Sequence, residues 1–186
     1  ITPPVANAGS TKTLTCTTTS VQIGGSSSVA GINYVWSPTN GLTNPNIAQT
    51  STTQPGIYTL TTTNPVNGCT SSSSVSILQN ITPPIADAGI DKMITCTAIN
   101  VNIGTPAISN TSYTWSPSIG LSSVNIAQPN ANKNGIYTVT ATNNINGCTA
   151  SYSVIVSIDT LKPIANAGID KELTCATSSV SIGSNS

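Results

Sequence analysis

A chain of 186 residues carries ten charged side chains, five Lys and five Asp or Glu, for a formal net charge of zero. That is 5% charged residues, against roughly 25% in an average soluble domain, and His is absent while Ser, Thr and Asn fill 76 positions. Five scattered Lys make no phosphate-neutralising stripe, no apolar run approaches the roughly 20 residues of a membrane span, and the usual acid-base groups are scarce; nucleic-acid binding, membrane crossing and catalysis are all disfavoured.

Zero net charge and a hydrophobic fraction of 37% argue against disorder, which couples low hydrophobicity to high net charge. The apolar residues are mostly Ile, Val, Leu, Ala and Tyr set among Thr, a mixture suited to pleated, half-buried surfaces, and strong helix formers are few. The fold class expected is all-β. In chain order, strands are predicted over residues 12–16, 21–24, 32–36, 56–63 and 72–78, with Pro and Gly punctuating the turns. Tyr58-Thr59-Leu60-Thr61 alternates apolar and Thr positions, the period-two pattern of a strand with one face in a core.

The pattern then repeats with a period of about 80 residues. Pro4-Val5-Ala6-Asn7-Ala8-Gly9 returns as Pro84-Ile85-Ala86-Asp87-Ala88-Gly89 and as Pro163-Ile164-Ala165-Asn166-Ala167-Gly168. Tyr34-Val35-Trp36-Ser37-Pro38 returns as Tyr113-Thr114-Trp115-Ser116-Pro117, and Asn67-Gly68-Cys69-Thr70 as Asn146-Gly147-Cys148-Thr149. Residues 1–80 form repeat 1, 81–160 repeat 2, and 161–186 the opening of a third copy that stops at Ile182-Gly183-Ser184. With the start at Ile1, that stop predicts a segment of a longer array. About seven short strands per repeat suggest a β-sandwich. Trp36, Trp115, Tyr58 and Tyr137 are its expected core, the two Tyr resembling the tyrosine corner of Ig-like folds.

These residues carry a family resemblance. The order Pro-Val-Ala-Asn-Ala-Gly, then Val21-Gln22-Ile23-Gly24-Gly25-Ser26, Tyr34-Val35-Trp36, Gly56-Ile57-Tyr58-Thr59-Leu60-Thr61 and Val75-Ser76-Ile77 resembles a PKD-type Ig-like domain. Leu14-Thr15-Cys16 with Asn67-Gly68-Cys69 resembles the variant repeated in large Bacteroidota surface adhesins, including gliding-associated and type IX-secreted proteins. Ser37-Pro38 and Ser116-Pro117 replace the acidic turn that usually follows the Trp in that pattern. The resemblance implies a linear array of tandem sandwiches at the bacterial cell surface. Its partners would be neighbouring repeats, laterally associated chains, and a surface or glycan ligand bound outside this segment.

The five Cys fall at two recurring positions: Cys16, Cys96 and Cys175 early in the repeat, Cys69 and Cys148 late. They read as a disulfide framework in an oxidising compartment. Pairing within each repeat, Cys16 with Cys69 and Cys96 with Cys148, is the simplest scheme, leaving Cys175 for a partner beyond the chain end. The alternative follows from topology: a first turn and a last hairpin turn lie near opposite ends of a sandwich, so Cys16 could instead meet Cys148 of the following repeat.

Other candidates are weaker. Repeat 1 has no Asp or Glu, so a calcium site recurring with the repeat cannot be built, and neither a metal nor a cofactor is expected. Thr13, Thr15, Thr17, Thr59, Thr61 and Thr63 read as the solvent half of strands. Tyr152, with no counterpart in repeat 1, is a single candidate sugar platform. Asp159-Thr160-Leu161 resembles the Bacteroidota O-glycosylation pattern, which makes Thr160 a candidate acceptor. Pro at the junctions predicts semi-rigid connections. The function expected is a non-enzymatic stalk or filament segment of a long adhesin. The alternatives are a carbohydrate-binding accessory module of a secreted polysaccharide-degrading enzyme and a self-assembling filament or sheath subunit.

Overall fold

The computed structural model describes residues 3–25 and 31–183; Ile1, Thr2, Ser26 and Ser184, to which parts of the repeat comparison extend, lie outside them. Among the described residues there are twelve strands and no helix. Repeat 1 contributes β1 (Lys12–Thr15), β2 (Val21–Ile23), β3 (Asn33–Ser37), β4 (Thr50–Thr52), β5 (Gly56–Thr63) and β6 (Thr70–Asn80). Repeat 2 contributes β7 (Lys92–Thr95), β8 (Val101–Asn102), β9 (Thr111–Ser116), β10 (Asn130–Ala131), β11 (Gly135–Asn143) and β12 (Thr149–Asp159). Among the described residues each repeat shows six strands where about seven were expected. β4 is the one without a sequence signal, because Thr-Ser-Thr offers no apolar alternation.

Each repeat is an Ig-like sandwich of a four-stranded and a two-stranded sheet. The orders are β1-β6-β5-β3 and β2-β4 in the first, β7-β12-β11-β9 and β8-β10 in the second. The central hairpin is antiparallel, and the first strand runs parallel to the last, with Thr15 opposite Asn80 and Thr95 opposite Asp159. On β5 and β11 the alternation works as expected: Tyr58 and Leu60, or Tyr137 and Val139, are buried. The opposite face carries cross-strand hydroxyl pairs, Thr59 with Ser74 at 2.9 Å and Thr138 with Ser153 at 2.8 Å.

The two cores are separate and built alike. Leu14, Ile23, Trp36, Tyr58, Leu60, Val75 and Ile77 pack in the first; Ile94, Ile103, Trp115, Tyr137, Val139, Val154 and Val156 pack in the second. A buried indole N–H needs an acceptor. Trp36 Nε1 donates to Ile47 O and Trp115 Nε1 to Ile126 O, both at 2.9 Å. The ring then sits against Gly24 or Gly104, each at positive φ, where a Cβ would collide with the carbonyl oxygen of Ala48 or Ala127. Asn46-Ile47-Ala48-Gln49, which recurs as Asn125-Ile126-Ala127-Gln128, and Ile23-Gly24, which recurs as Ile103-Gly104, are therefore two sides of one Trp pocket. The Tyr58 hydroxyl lies 3.0 Å from Asn40 O and 3.1 Å from Gln54 O, and that of Tyr137 lies 3.0 Å from both Ile119 O and Lys133 O. Each ties a core strand back to the chain upstream.

Residues 161–183 keep the local bonds of a repeat start without its sheet. Gly183 N donates to Ala167 O at 2.8 Å, as Gly24 N does to Ala8 O. Yet Leu173, equivalent to buried Leu14 and Ile94, is 61% exposed.

Candidate functional site

The chemistry that distinguishes this chain converges where repeat 1 meets repeat 2. Parallel pairing puts Cys16, one residue past Thr15, beside Asn80 at the end of β6, whereas Cys69 precedes Thr70 at its start. Eleven residues of strand at about 3.3 Å each separate them by roughly 35 Å, far beyond the separation of less than about 7 Å between Cα atoms that a disulfide requires. The expected Cys16–Cys69 bond cannot form. Cys96–Cys148 fails for the same reason, since Cys96 follows Thr95 opposite Asp159 while Cys148 precedes Thr149. The structure instead joins Cys16 to Cys148 across the junction, with Cα atoms 5.1 Å apart and a sequence separation of 132. Cys69 is half-buried and free, and Cys96 and Cys175 are exposed and free. No partner for Cys175 occurs among the described residues.

Around the disulfide, Asn146, Gly147, Asn80, Thr82, Thr15 and Thr17 hold the contact, a role the sequence did not predict for any of them. Asn146 is 1% exposed, and its carbonyl and both polar atoms of its side chain are used. Its Oδ1 accepts from Cys148 N at 2.9 Å, its Nδ2 donates at 2.9 Å to both Asn80 Oδ1 and Thr82 O, and its carbonyl accepts from Cys16 N at 3.1 Å. Gly147, at φ 69°, has no Cβ because Thr17 of repeat 1 fills that space. The first-turn side is shaped by Thr15, whose Oγ1 accepts from Thr18 N at 2.9 Å. The available signal was the recurrence of Asn-Gly-Cys as a unit rather than of Cys alone.

The junction leaves no buried polar side-chain atom unpaired, and the same is true of all described residues. An unmet donor such as Asn146 Nδ2 would otherwise cost about 1–3 kcal/mol. Closing a loop of this length contributes about 5 kcal/mol in the chain-entropy model. The arrangement can hold two sandwiches in one relation; it presents no nucleophile, base or metal cluster. No group of three or more His, Cys, Asp or Glu comes together among the described residues, and no helix is long and apolar enough to cross a membrane.

The remaining sequence candidates lie elsewhere. Trp36, Trp115, Tyr58 and Tyr137 sit at the centres of the two cores, at most 2% exposed, and burial raises the phenol pKa of Tyr137. Thr160 is exposed, and its carbonyl lies 3.5 Å from the Cys96 thiol. Tyr152 is 55% exposed and lines an open groove of about 490 Å³ with Asp87, Lys92, Asn102 and Gln128. Repeat 1 has Ser73 at the position of Tyr152, where its hydroxyl accepts from Ala8 N at 3.3 Å.

No protein-family model and no curated protein matches the chain. Among solved structures it is similar to an I-band fragment of titin at 16% identity, covering 81% of this chain and 62% of that one with a TM-score of 0.43. It is also similar to extracellular domains 3–5 of Drosophila OTK, at 12% identity over 81% and 60% of the two chains, TM-score 0.44. The three N-terminal domains of the outer capsid protein Hoc of bacteriophage RB49 show 18% identity over 75% and 54%, TM-score 0.38. The chain spans about six-tenths of the length of the first two.

Proposed function

We propose that this chain is a spacer: a stalk or filament segment of a long repetitive adhesin at a bacterial cell surface, holding a distal binding region away from its anchor. Ig-like domains with a disulfide are typical of extracellular proteins. The finer reading, a Bacteroidota adhesin of the gliding-associated or type IX-secreted kind, rests on the PKD-type sequence resemblance. The observation that carries the spacer role is the Cys16–Cys148 bond with the fully hydrogen-bonded Asn146 side chain beside it. The elaborate chemistry of the molecule is directed at a neighbouring repeat, not at a ligand. Its partners are accordingly adjoining repeats and, through the uncharged Thr-rich faces, laterally associated chains. Thr160 is proposed as a glycan acceptor at the next junction, and intact-mass measurement checks it.

Small-angle scattering of the oxidised chain tests the spacer role. One fixed arrangement of the two repeats should fit the profile, and Cys16→Ser should broaden it. A profile that is equally broad with and without the disulfide would sink the reading. One observation favours the accessory-module alternative, the groove beside exposed Tyr152 in repeat 2. Saturable binding on a glycan array, lost in Tyr152→Ala, would establish that alternative.

A further inference from the structure

The turn that grips repeat 1 is present a second time, fully formed, with none of the described residues in its grasp. In repeat 2, Gly147 N donates to Asn143 O at 2.8 Å, Asn143 N to Cys148 O at 2.9 Å and Cys148 N to Asn146 Oδ1 at 2.9 Å. In repeat 1 the same three bonds run from Gly68 N to Asn64 O, Asn64 N to Cys69 O and Cys69 N to Asn67 Oδ1, at 2.8, 2.9 and 2.9 Å. Gly68 has φ 70° against 69° for Gly147. The difference lies in the surroundings: a Cβ on Gly147 would strike Thr17, whereas one on Gly68 would meet nothing, and Asn67 is exposed where Asn146 is buried.

The complementary half is duplicated too. Thr95 N donates to Ala98 O and Ala98 N to Thr95 Oγ1, both at 3.0 Å, repeating the bonds of Thr15 and Thr18 that present Cys16. They present Cys96 and Thr97 beside Asp159 and Leu161, the residues in register with Asn80 and Thr82.

We propose that Asn67-Gly68-Cys69 and Cys96-Thr97 are docking faces for further repeats of this type. Cys69 receives the first-turn Cys of a repeat placed ahead, and Cys96 the last-turn Cys of a repeat placed behind. Each repeat is then bonded to both neighbours by a one-directional rule, first turn to the last turn of the next. Two thiols lose two protons and two electrons to a disulfide oxidant, oxidised glutathione or a thiol oxidoreductase, which leaves as two thiols. Where a copy of repeat 2 stands ahead of repeat 1, the Asn67 amide would donate to that copy's Asp159 carboxylate, a charge-assisted version of the bond from Asn146 Nδ2 to Asn80 Oδ1 in the existing junction. The inference stands apart from the spacer role, since an accessory module could be coupled in the same way.

The test fuses a copy of residues 81–159 directly ahead of Ile1 of the full chain, so that an Asp159-Ile1 junction replaces Asn80-Ile81. After oxidation in a glutathione buffer, non-reducing peptide mapping should find the Cys96 of the added copy joined to Cys69, with Cys16–Cys148 retained. Cys69 alkylated as fully as in the unextended chain, or joined to Cys16, overturns the proposal. In the same fusion, Asn67→Asp keeps the Oδ1 cap of the turn but sets a carboxylate against Asp159. The equilibrium constant for coupling against glutathione should fall about tenfold or more, the worth of one hydrogen bond to a charged group. Unchanged coupling would reduce the face to mere proximity of two thiols and overturn it as a recognition surface.

Discussion

Thr50, Thr52 and Thr62 are buried in the first sandwich, whereas the same register positions of the second hold Pro129, Ala131 and Ala141. Each hydroxyl has a partner: Thr50 Oγ1 meets Thr43 Oγ1 at 3.1 Å, Thr52 Oγ1 donates to the Tyr58 hydroxyl at 2.9 Å, and Thr62 Oγ1 donates to Ser71 O at 3.3 Å. The rest of the framework is the same in both, down to the 2.9 Å bond from each Trp. The difference teaches which positions define the fold. A buried Thr with a satisfied hydroxyl gives way to Pro or Ala at these positions, but the Trp acceptor, the positive-φ Gly and the Tyr hydroxyl bonds recur in both. The late turns add a second contrast, with one Asn-Gly-Cys engaged and its twin exposed.

The largest expected effect sharpens that second contrast. In the oxidised chain, Cys148→Ser should lower unfolding stability in a denaturant titration by about 5 kcal/mol, while Cys69→Ser changes it by less than about 0.5 kcal/mol. Equal losses would break the comparison. Next, Gly24→Ala and Gly104→Ala should each cost about 3 kcal/mol, combining left-handed backbone strain with a clash against a carbonyl. A cost confined to one repeat would mean that the Trp pockets are not equivalent. Smaller still, Thr52→Ala should cost about 1 kcal/mol, one hydrogen bond, and Ala131→Thr should be tolerated because its hydroxyl can reach that of Tyr137.

The smallest effect concerns pH. Burial raises the Tyr137 phenol pKa above its ordinary value of 10.0, so the folded state holds this proton more tightly than the unfolded state. The stabilisation is fully present below about pH 10 and is lost as pH rises from there through the folded-state value. In a spectrophotometric titration, Tyr137→Phe should remove a late-ionising phenol.

Much of this was legible in the sequence. The 80-residue period, the Trp and Tyr centres and the strand alternation of Tyr58 and Leu60 are local patterns that burial alone imposes. Thr50–Thr52 was not legible, because its inward Thr carry no apolar signal. The cysteine pairing was legible only as the second of two schemes: the choice between them depends on β1 running parallel to β6, a long-range feature that no local pattern in residues 12–15 records. Asn146 stayed hidden among the many Asn, since only the fold brings Asn80 and Thr82 to its amide.

The Cys16–Cys148 bond also sets how tension would travel. A pull on the two ends of the oxidised chain crosses from residue 16 to residue 148 through sulfur, bypassing everything between. The bond spans 132 positions of sequence, so roughly 450 Å of extensible contour is held out of the load path at about 3.4 Å per residue. Both cores could lose their packing without that slack being released. Once the cores have unfolded, reduction would return it all at once, making the redox state of two atoms the control on how far this chain can be drawn out.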